Sequence, residues 1–150
     1  MFQGITSVTV DTKGRLAIPT RFRDGITDRG GPTVIVTAHQ YDGCLVLYPL
    51  IDWEEIARKV SGLPDGSADV RNIKRRFIGQ ATDLEIDGAG RVLLPQLLRN
   101  FARIEKGAVM LGQGHKLELW SEGQWAANEK INATLDDATG LPEAVQQLSF

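Results

Sequence analysis

Asp11-Thr12-Lys13-Gly14-Arg15-Leu16-Ala17-Ile18-Pro19 and Asp87-Gly88-Ala89-Gly90-Arg91-Val92-Leu93-Leu94-Pro95 are two versions of one nine-residue stretch. Asp, Gly, Arg and Pro recur at a constant offset of 76, and the apolar positions recur with them. Val8, Val10, Leu16 and Ile18 match Leu84, Ile86, Val92 and Leu94, and Phe22-Arg23 matches Leu98-Arg99. Farther along the offset becomes 72, so that Leu45, Leu47, Tyr48 and Trp53 align with Leu117, Leu119, Trp120 and Trp125. The first copy is longer by one short loop insertion. A fixed-period match of this kind marks a duplicated supersecondary unit, and two copies are too few for a solenoid.

Each copy has the same coarse plan. Val8 and Val10 alternate with polar neighbours, as in a half-buried strand. Asp11 to Gly14 reads as a turn, because Asp accepts from the backbone ahead of it and Gly takes positive φ. Arg15 to Ile18 reads as the return strand, and Pro19 suits the first turn of a short helix reaching about Arg23. Thr33–Ala38 and Cys44–Tyr48 read as a second strand pair bent at Tyr41-Asp42-Gly43. A helix follows from about Asp52 to Val60, and the second copy ends in one starting near Glu122. Between the copies, Val70, Ile73 and Phe77 fall at helical spacing, with Arg71, Lys74 and Arg75 on the other side.

A unit of this size buries little core by itself, so two copies are expected to share one core around a pseudo-two-fold axis. The expected fold class is α+β. Residues 1–62 form the first repeat, 63–80 a connecting segment with a basic helix, and 81–150 the second repeat with its C-terminal helix, all packed as one unit.

The chain of 150 residues is 42% hydrophobic and 24% charged, which suits a globular domain. No apolar run is long enough to cross a bilayer and the start shows no signal-peptide pattern, so a cytoplasmic protein without a membrane partner is expected. The single Cys44 cannot form an internal disulfide and opens a strand, where a small buried apolar role is expected. His39 and His115 fall in apparent loops and are expected at the surface. Trp53, Trp120 and Trp125 are expected to fill the core around the helices. Gly112-Gln113-Gly114 lacks the spacing, the Lys and the following helix of a phosphate loop. No acid–base pair, nucleophile constellation or metal cluster stands out, so the expectation is no enzyme, no cofactor, no metal and no small-molecule substrate.

The duplicated turn carries the chemistry. A second unit built for core alone would need the Gly and the apolar residues, but not the same Arg leaving the same turn. Two equivalent arginines, Arg15 and Arg91, make a paired set of cationic tips. Double-stranded DNA offers matching chemistry: a two-stranded ribbon fits the major groove, and Arg binds guanine O6 and N7 through two parallel hydrogen bonds. Asp11 and Asp87 then orient the arginines, with Gly14 and Gly90 shaping the turns. Lys13, Arg21 and Arg23 are the expected accessory contacts, while Arg29 and the Arg71, Lys74, Arg75 and Arg76 run are further cationic groups. The net charge of −2 requires any DNA contact to use such local positive charge. The acidic Asp136 and Asp137 are expected away from the tips. An alternative is a protein-interaction module whose hairpins bind an acidic partner.

On these residues the chain resembles the MraZ family of bacterial transcriptional regulators. The likeness runs through Met1-Phe2, the stretch Asp11 to Pro19, Gly43 to Pro49, Arg75-Arg76-Phe77-Ile78-Gly79, Asp87 to Pro95 and Gly112 to Trp120. It implies two swapped-hairpin units of the AbrB class forming a barrel-like core with flanking helices. It also implies ring-like homo-oligomers, associated with the nucleoid, that bind tandem repeats in the promoter of the division and cell-wall gene cluster. The Asp-x-x-x-Arg elements that the resemblance assigns to DNA fall on Asp11/Arg15 and Asp87/Arg91. Gly88-Ala89 departs from the pattern by leaving the second turn without its own basic residue, so unequal tips are expected.

Overall fold

The computed structural model describes residues 1–132 and 140–150. Its first half runs β1 (Ile5–Thr9), β2 (Arg15–Ala17), α1 (Thr20–Thr27), β3 (Thr33–Ala38), β4 (Leu45–Pro49) and α2 (Leu50–Ser61). A connecting helix α3 (Ala68–Ile73) widens into a π-helical turn over Lys74–Ile78. The second half runs β5 (Thr82–Glu85), β6 (Arg91–Leu93), α4 (Gln96–Phe101), β7 (Gly107–Gly112), β8 (Leu117–Ser121) and α5 (Glu122–Asn132), with a short α6 (Glu143–Gln146) near the end. The α+β class expected from the alternation of strand and helix patterns is the class observed.

Proline sets four of the helix starts among the described residues, Pro142 before α6 included. Pro19, Pro49 and Pro95 are the N-caps of α1, α2 and α4, each with φ near its fixed value and extended ψ. They stand just outside the helix rather than within its first turn. α1 runs past Arg23 to Thr27 because Phe22 and Ile26, one turn apart, both reach the core.

The strands pair across the two halves. Six of them form one antiparallel sheet in the order β1-β7-β8-β4-β3-β5, and the other two, β2 and β6, form a ladder of their own. The order maps onto itself when β1 and β5, β3 and β7, and β4 and β8 are exchanged. The central registers obey the same exchange. β4 meets β8 about the pair Val46↔Glu118, and β2 meets β6 about Leu16↔Val92. Strands β1 and β2 share a turn closed by the Val10↔Leu16 bridge, but then part, β1 to β7 and β2 to β6. Each repeat's hairpin is therefore completed by the other repeat. The edge strands β1 and β5 do not pair with each other, so the sheet does not close, and the expected barrel-like core is an open sheet with a ladder packed on it.

That packing makes three layers. On one sheet face Val34, Val36, Leu45, Leu47, Leu117 and Leu119 meet Leu16 and Val92 of the ladder, Phe22 and Ile26 of α1, and Leu98 of α4. On the other face Val46 and Tyr48 meet Phe77, Trp53, Ile56, Val60 and Ile73 from α2, α3 and the π turn. The all-buried pattern of β4 and β8 follows from being covered on both faces, whereas the edge strand β1 alternates. Trp120 is buried, and Trp53 and Trp125 are half-buried against Tyr48 and Trp120 respectively. No helix among the described residues is long and apolar enough to cross a membrane. Asp136 and Asp137 lie outside the described residues.

Candidate nucleic-acid interface

The two Asp–Arg turns are built alike. Asp11 Oδ1 accepts from the backbone N–H of Lys13 (2.9 Å) and of Arg15 (2.8 Å), and Asp87 Oδ1 accepts from Ala89 and Arg91 (both 2.9 Å). These bonds hold both carboxyls below the ordinary carboxylate pKa, the bond from the Arg backbone being the largest cause in each. Aspartate is used because its short side chain reaches the N–H two residues ahead without leaving its own turn. Gly14 and Gly90 close the turns at φ +91° and +76°, where a side chain is strained.

The other carboxylate oxygen holds the arginine. Arg15 Nε donates to Asp11 Oδ2 at 2.9 Å. Arg91 Nε lies 3.4 Å from Asp87 Oδ2, close enough to attract but without the alignment of a hydrogen bond. Both pairings go through Nε, and among the described residues neither arginine has a partner on its terminal nitrogens. Those terminal nitrogens form the fork that bidentate recognition requires. The arginine side chains are 37% and 40% exposed, so the pairs lie at the surface and not in the core.

The β2–β6 ladder puts the two arginines on one face. Leu16 and Val92 point into the core, so Arg15, Ala17, Arg91 and Leu93 share the outer side. Arg15 stands opposite Leu93, and Arg91 opposite Ala17. They occupy diagonal corners, with Cα atoms about 8 Å apart from the strand rise and inter-strand spacing.

Tertiary packing then redistributes the accessory cations. Ile18 N donates to Gly90 O and Leu94 N donates to Gly14 O, both at 2.9 Å, so each turn is tied to the other repeat. The helices follow. Arg23 of α1 lies against Gly90, and Arg99 of α4 lies against Gly14, where a Cβ would sit 2.9 Å from its Cζ. A Cβ on Gly90 would collide with Nη1 of Arg23. The φ calls for glycine at each turn, and a side chain there would also have to push aside the guanidinium crossing it. The first tip carries Lys13, Arg15 and Arg99, and the second carries Arg91 and Arg23. Sequence reading grouped Arg23 with the first turn and missed Arg99. The signal available was the alignment of Arg23 with Arg99, which becomes informative only once the strand exchange is known.

The remaining cations lie elsewhere. Arg21 donates to Ile5 O (2.8 Å) and to Thr6 Oγ1, and stacks 4.8 Å from the Phe22 ring, so β1 holds it rather than a tip. Arg29 is paired with Asp52 through two bonds of 2.7 and 3.1 Å. Lys74 donates to Leu63 O and Asp65 Oδ1 (both 2.6 Å), and Arg71 to Asp65 O, fastening α3 to its linker on the far side of the sheet. His39, expected at the surface, is buried: its Nδ1 accepts from Tyr41 N and Asp42 N, folding the loop over the ring. Cys44 is buried as expected.

The family model described as "MraZ protein, putative antitoxin-like" matches residues 1–76 and again 77–145. The chain belongs to the MraZ family. A protein of Alcanivorax borkumensis named Transcriptional regulator MraZ is 45% identical over 150 residues, covering all of both chains. One of the same name from Saccharophagus degradans is 44% identical, again over the full length of both. A third, from a Marinomonas species, is 47% identical over 130 residues, 87% of this chain and 86% of its own.

Proposed function

We propose that this chain is a sequence-specific DNA-binding transcriptional regulator that reads promoter repeats through its Asp11/Arg15 and Asp87/Arg91 turns. The observation that carries the reading is the pair of arginines on one outer face, Arg15 hydrogen-bonded at Nε to Asp11 and Arg91 drawn at Nε toward Asp87, both with their terminal nitrogens free. Rotamers fixed in advance lose less entropy on binding, and the free fork matches guanine O6 and N7. Lys13, Arg23 and Arg99 border the arginines and neutralise phosphate, while Arg21 stays engaged with β1. The names of the full-length relatives support regulation of transcription. The pairing of each hairpin with the other repeat supports the swapped-hairpin AbrB arrangement, with 1–62 and 81–150 as repeats joined by 63–80.

One chain with a net charge of −2 offers two tips, so affinity is drawn from several subunits engaging tandem sites at high effective concentration. The assembly is therefore a homo-oligomer, a ring by family analogy, acting at the nucleoid on the division and cell-wall cluster. Protection mapping upstream of the protein's own gene, run over a salt series, tests the reading. Protected tandem repeats whose occupancy falls steeply with salt are expected. Protection absent at low salt, with binding only to acidic proteins, would favour the interaction-module alternative. Light scattering that showed only monomer at micromolar concentration would overturn the oligomer.

A further inference from the structure

The pseudo-symmetry that relates the two repeats fails at one buried place. His39 follows β3, Cys44 precedes β4, and Glu118 is the second residue of β8. The bond from His39 N to Cys44 O has its counterpart in Gln113 N to Lys116 O, both 2.9 Å. The equivalents of His39 and Cys44 are therefore Gln113 and Lys116, and Glu118 faces its own equivalent, Val46. His39 and Cys44 of the first repeat and Glu118 of the second thus bring three ligand types together, where the symmetry-related positions hold an amide, an ammonium and an isopropyl group.

The three side chains converge. Their ligand atoms all lie within 4.8 Å of one another, and all three residues are buried. They share the sheet face opposite the ladder, since Glu118 pairs with Val46, whose side chain packs on that face. Glu118 Oε1 accepts from Trp120 Nε1 at 3.0 Å, while Oε2 lies 3.6 Å from His39 Nε2. Among the described residues no Lys or Arg comes within ion-pair distance of this carboxylate. A buried carboxylate with no Lys or Arg paired to it is stabilised when a cation joins it.

We propose that His39, Cys44 and Glu118 form a binding site for one zinc-class divalent cation, which clips the β3–β4 loop to β8. Thiolate sulfur, imidazole nitrogen and carboxylate oxygen are the donor types zinc takes in protein sites, and three protein ligands leave a fourth position for water. Donors about 2.0–2.3 Å from a tetrahedral ion stand roughly 3.3–3.8 Å from one another. The Nε2–Oε2 separation of 3.6 Å already has that length, and the remaining contacts need only contract from 4.8 Å or less. On binding, the Cys44 thiol loses its proton to solvent. Nδ1 now accepts two backbone N–H groups, so the ring proton is on Nε2. When Nε2 takes the ion that proton passes to Nδ1, so the Tyr41 and Asp42 N–H groups give up Nδ1 as their acceptor, the β3–β4 loop reorganises, and Nδ1–H donates to Asp42 Oδ2, which lies 3.8 Å away before binding. The two charges of the ion are matched by one thiolate and one carboxylate, so the loaded site is neutral.

Cobalt(II) serves as the probe, added to the reduced, untagged full chain after chelation and desalting. One equivalent should bind with thiolate-to-cobalt charge-transfer absorption in the near ultraviolet, and zinc should displace it. Cys44→Ala should abolish the band while circular dichroism stays native. Glu118→Gln, which keeps the side-chain volume but removes the carboxylate ligand, should weaken cobalt binding by more than about 10-fold, the smallest loss usual even for an outer-shell partner. It also keeps the test open if Cys44→Ala fails to fold. Absence of a thiolate band in folded, reduced wild type would overturn the proposal. So would a band of equal strength in folded Cys44→Ala, or undiminished affinity in Glu118→Gln. The DNA tips lie on the other side of the sheet, so neither result depends on DNA binding.

Discussion

Replacing Arg15 with alanine separates DNA reading from folding, because its side chain lies half-buried at the surface and takes no part in the core. The side chain is 37% exposed and bonds only to Asp11 through Nε. The turn itself is held by bonds that survive the change: Asp11 Oδ1 accepts from the backbone N–H groups of residues 13 and 15, and the N–H of Asp11 donates to the carbonyl of residue 15. Leu16, fully buried beside it, is untouched. An exposed ion pair contributes little to stability, so the fold and any oligomer should persist. On DNA the loss is one bidentate base contact, about 1–3 kcal/mol per engaged subunit. That is about 5- to 160-fold in affinity for a single tip. Subunits bound together multiply the factor, so specific binding should disappear from a normal titration range. The assay is fluorescence anisotropy on the promoter repeats and on scrambled DNA at one salt concentration, with circular dichroism and light scattering as controls. Unchanged affinity for the repeats in a folded, normally assembled Arg15→Ala chain would refute the mechanism.

Arg91→Ala should weaken binding less than Arg15→Ala, since the second tip carries Arg23 but no counterpart of Lys13. The same titrations rank the two variants. Lys13→Ala and Arg99→Ala should each lower affinity on cognate and scrambled DNA alike and reduce the salt slope by about one, as for a lost phosphate contact. Gly90→Ala should destabilise the fold by about 1–2 kcal/mol through its φ of +76° alone, with a further cost from displacing Arg23. In urea melts, adding Arg23→Ala should recover the second part only, and strictly additive losses would show that the guanidinium does not press on the turn. Asp11 and Asp87 have folded pKa values below the ordinary 3.8, so their stabilisation is complete above that pH and is lost as pH falls through the lower folded values. Asp11→Asn should therefore flatten the acid limb of a melting temperature against pH profile, and an unchanged limb would count against the turn bonds.

The sequence by itself determined what is local. Asp11 to Arg15 and Asp87 to Arg91 each close within five residues, so the Asp–N–H bonds and the positive φ at glycine follow from the residues present. The strand and helix periods were likewise legible, because alternation and helical spacing depend on near neighbours. The tertiary structure decided which copy completes which. β1 and β5 carry similar apolar patterns, so the sequence could not say that β1 pairs with β7 and β5 with β3. From that exchange follow the placements of Arg23 at Gly90 and of Arg99 at Gly14, which no spacing along the chain encodes. Burial of His39 was hidden for a similar reason. Its loop is polar in sequence, but the ring satisfies two backbone N–H groups and meets Glu118, a residue 79 positions away, only after the sheet has formed. Local hydrogen-bond chemistry is written residue by residue, whereas long-range pairing depends on which of several equivalent apolar faces meet when the core is buried.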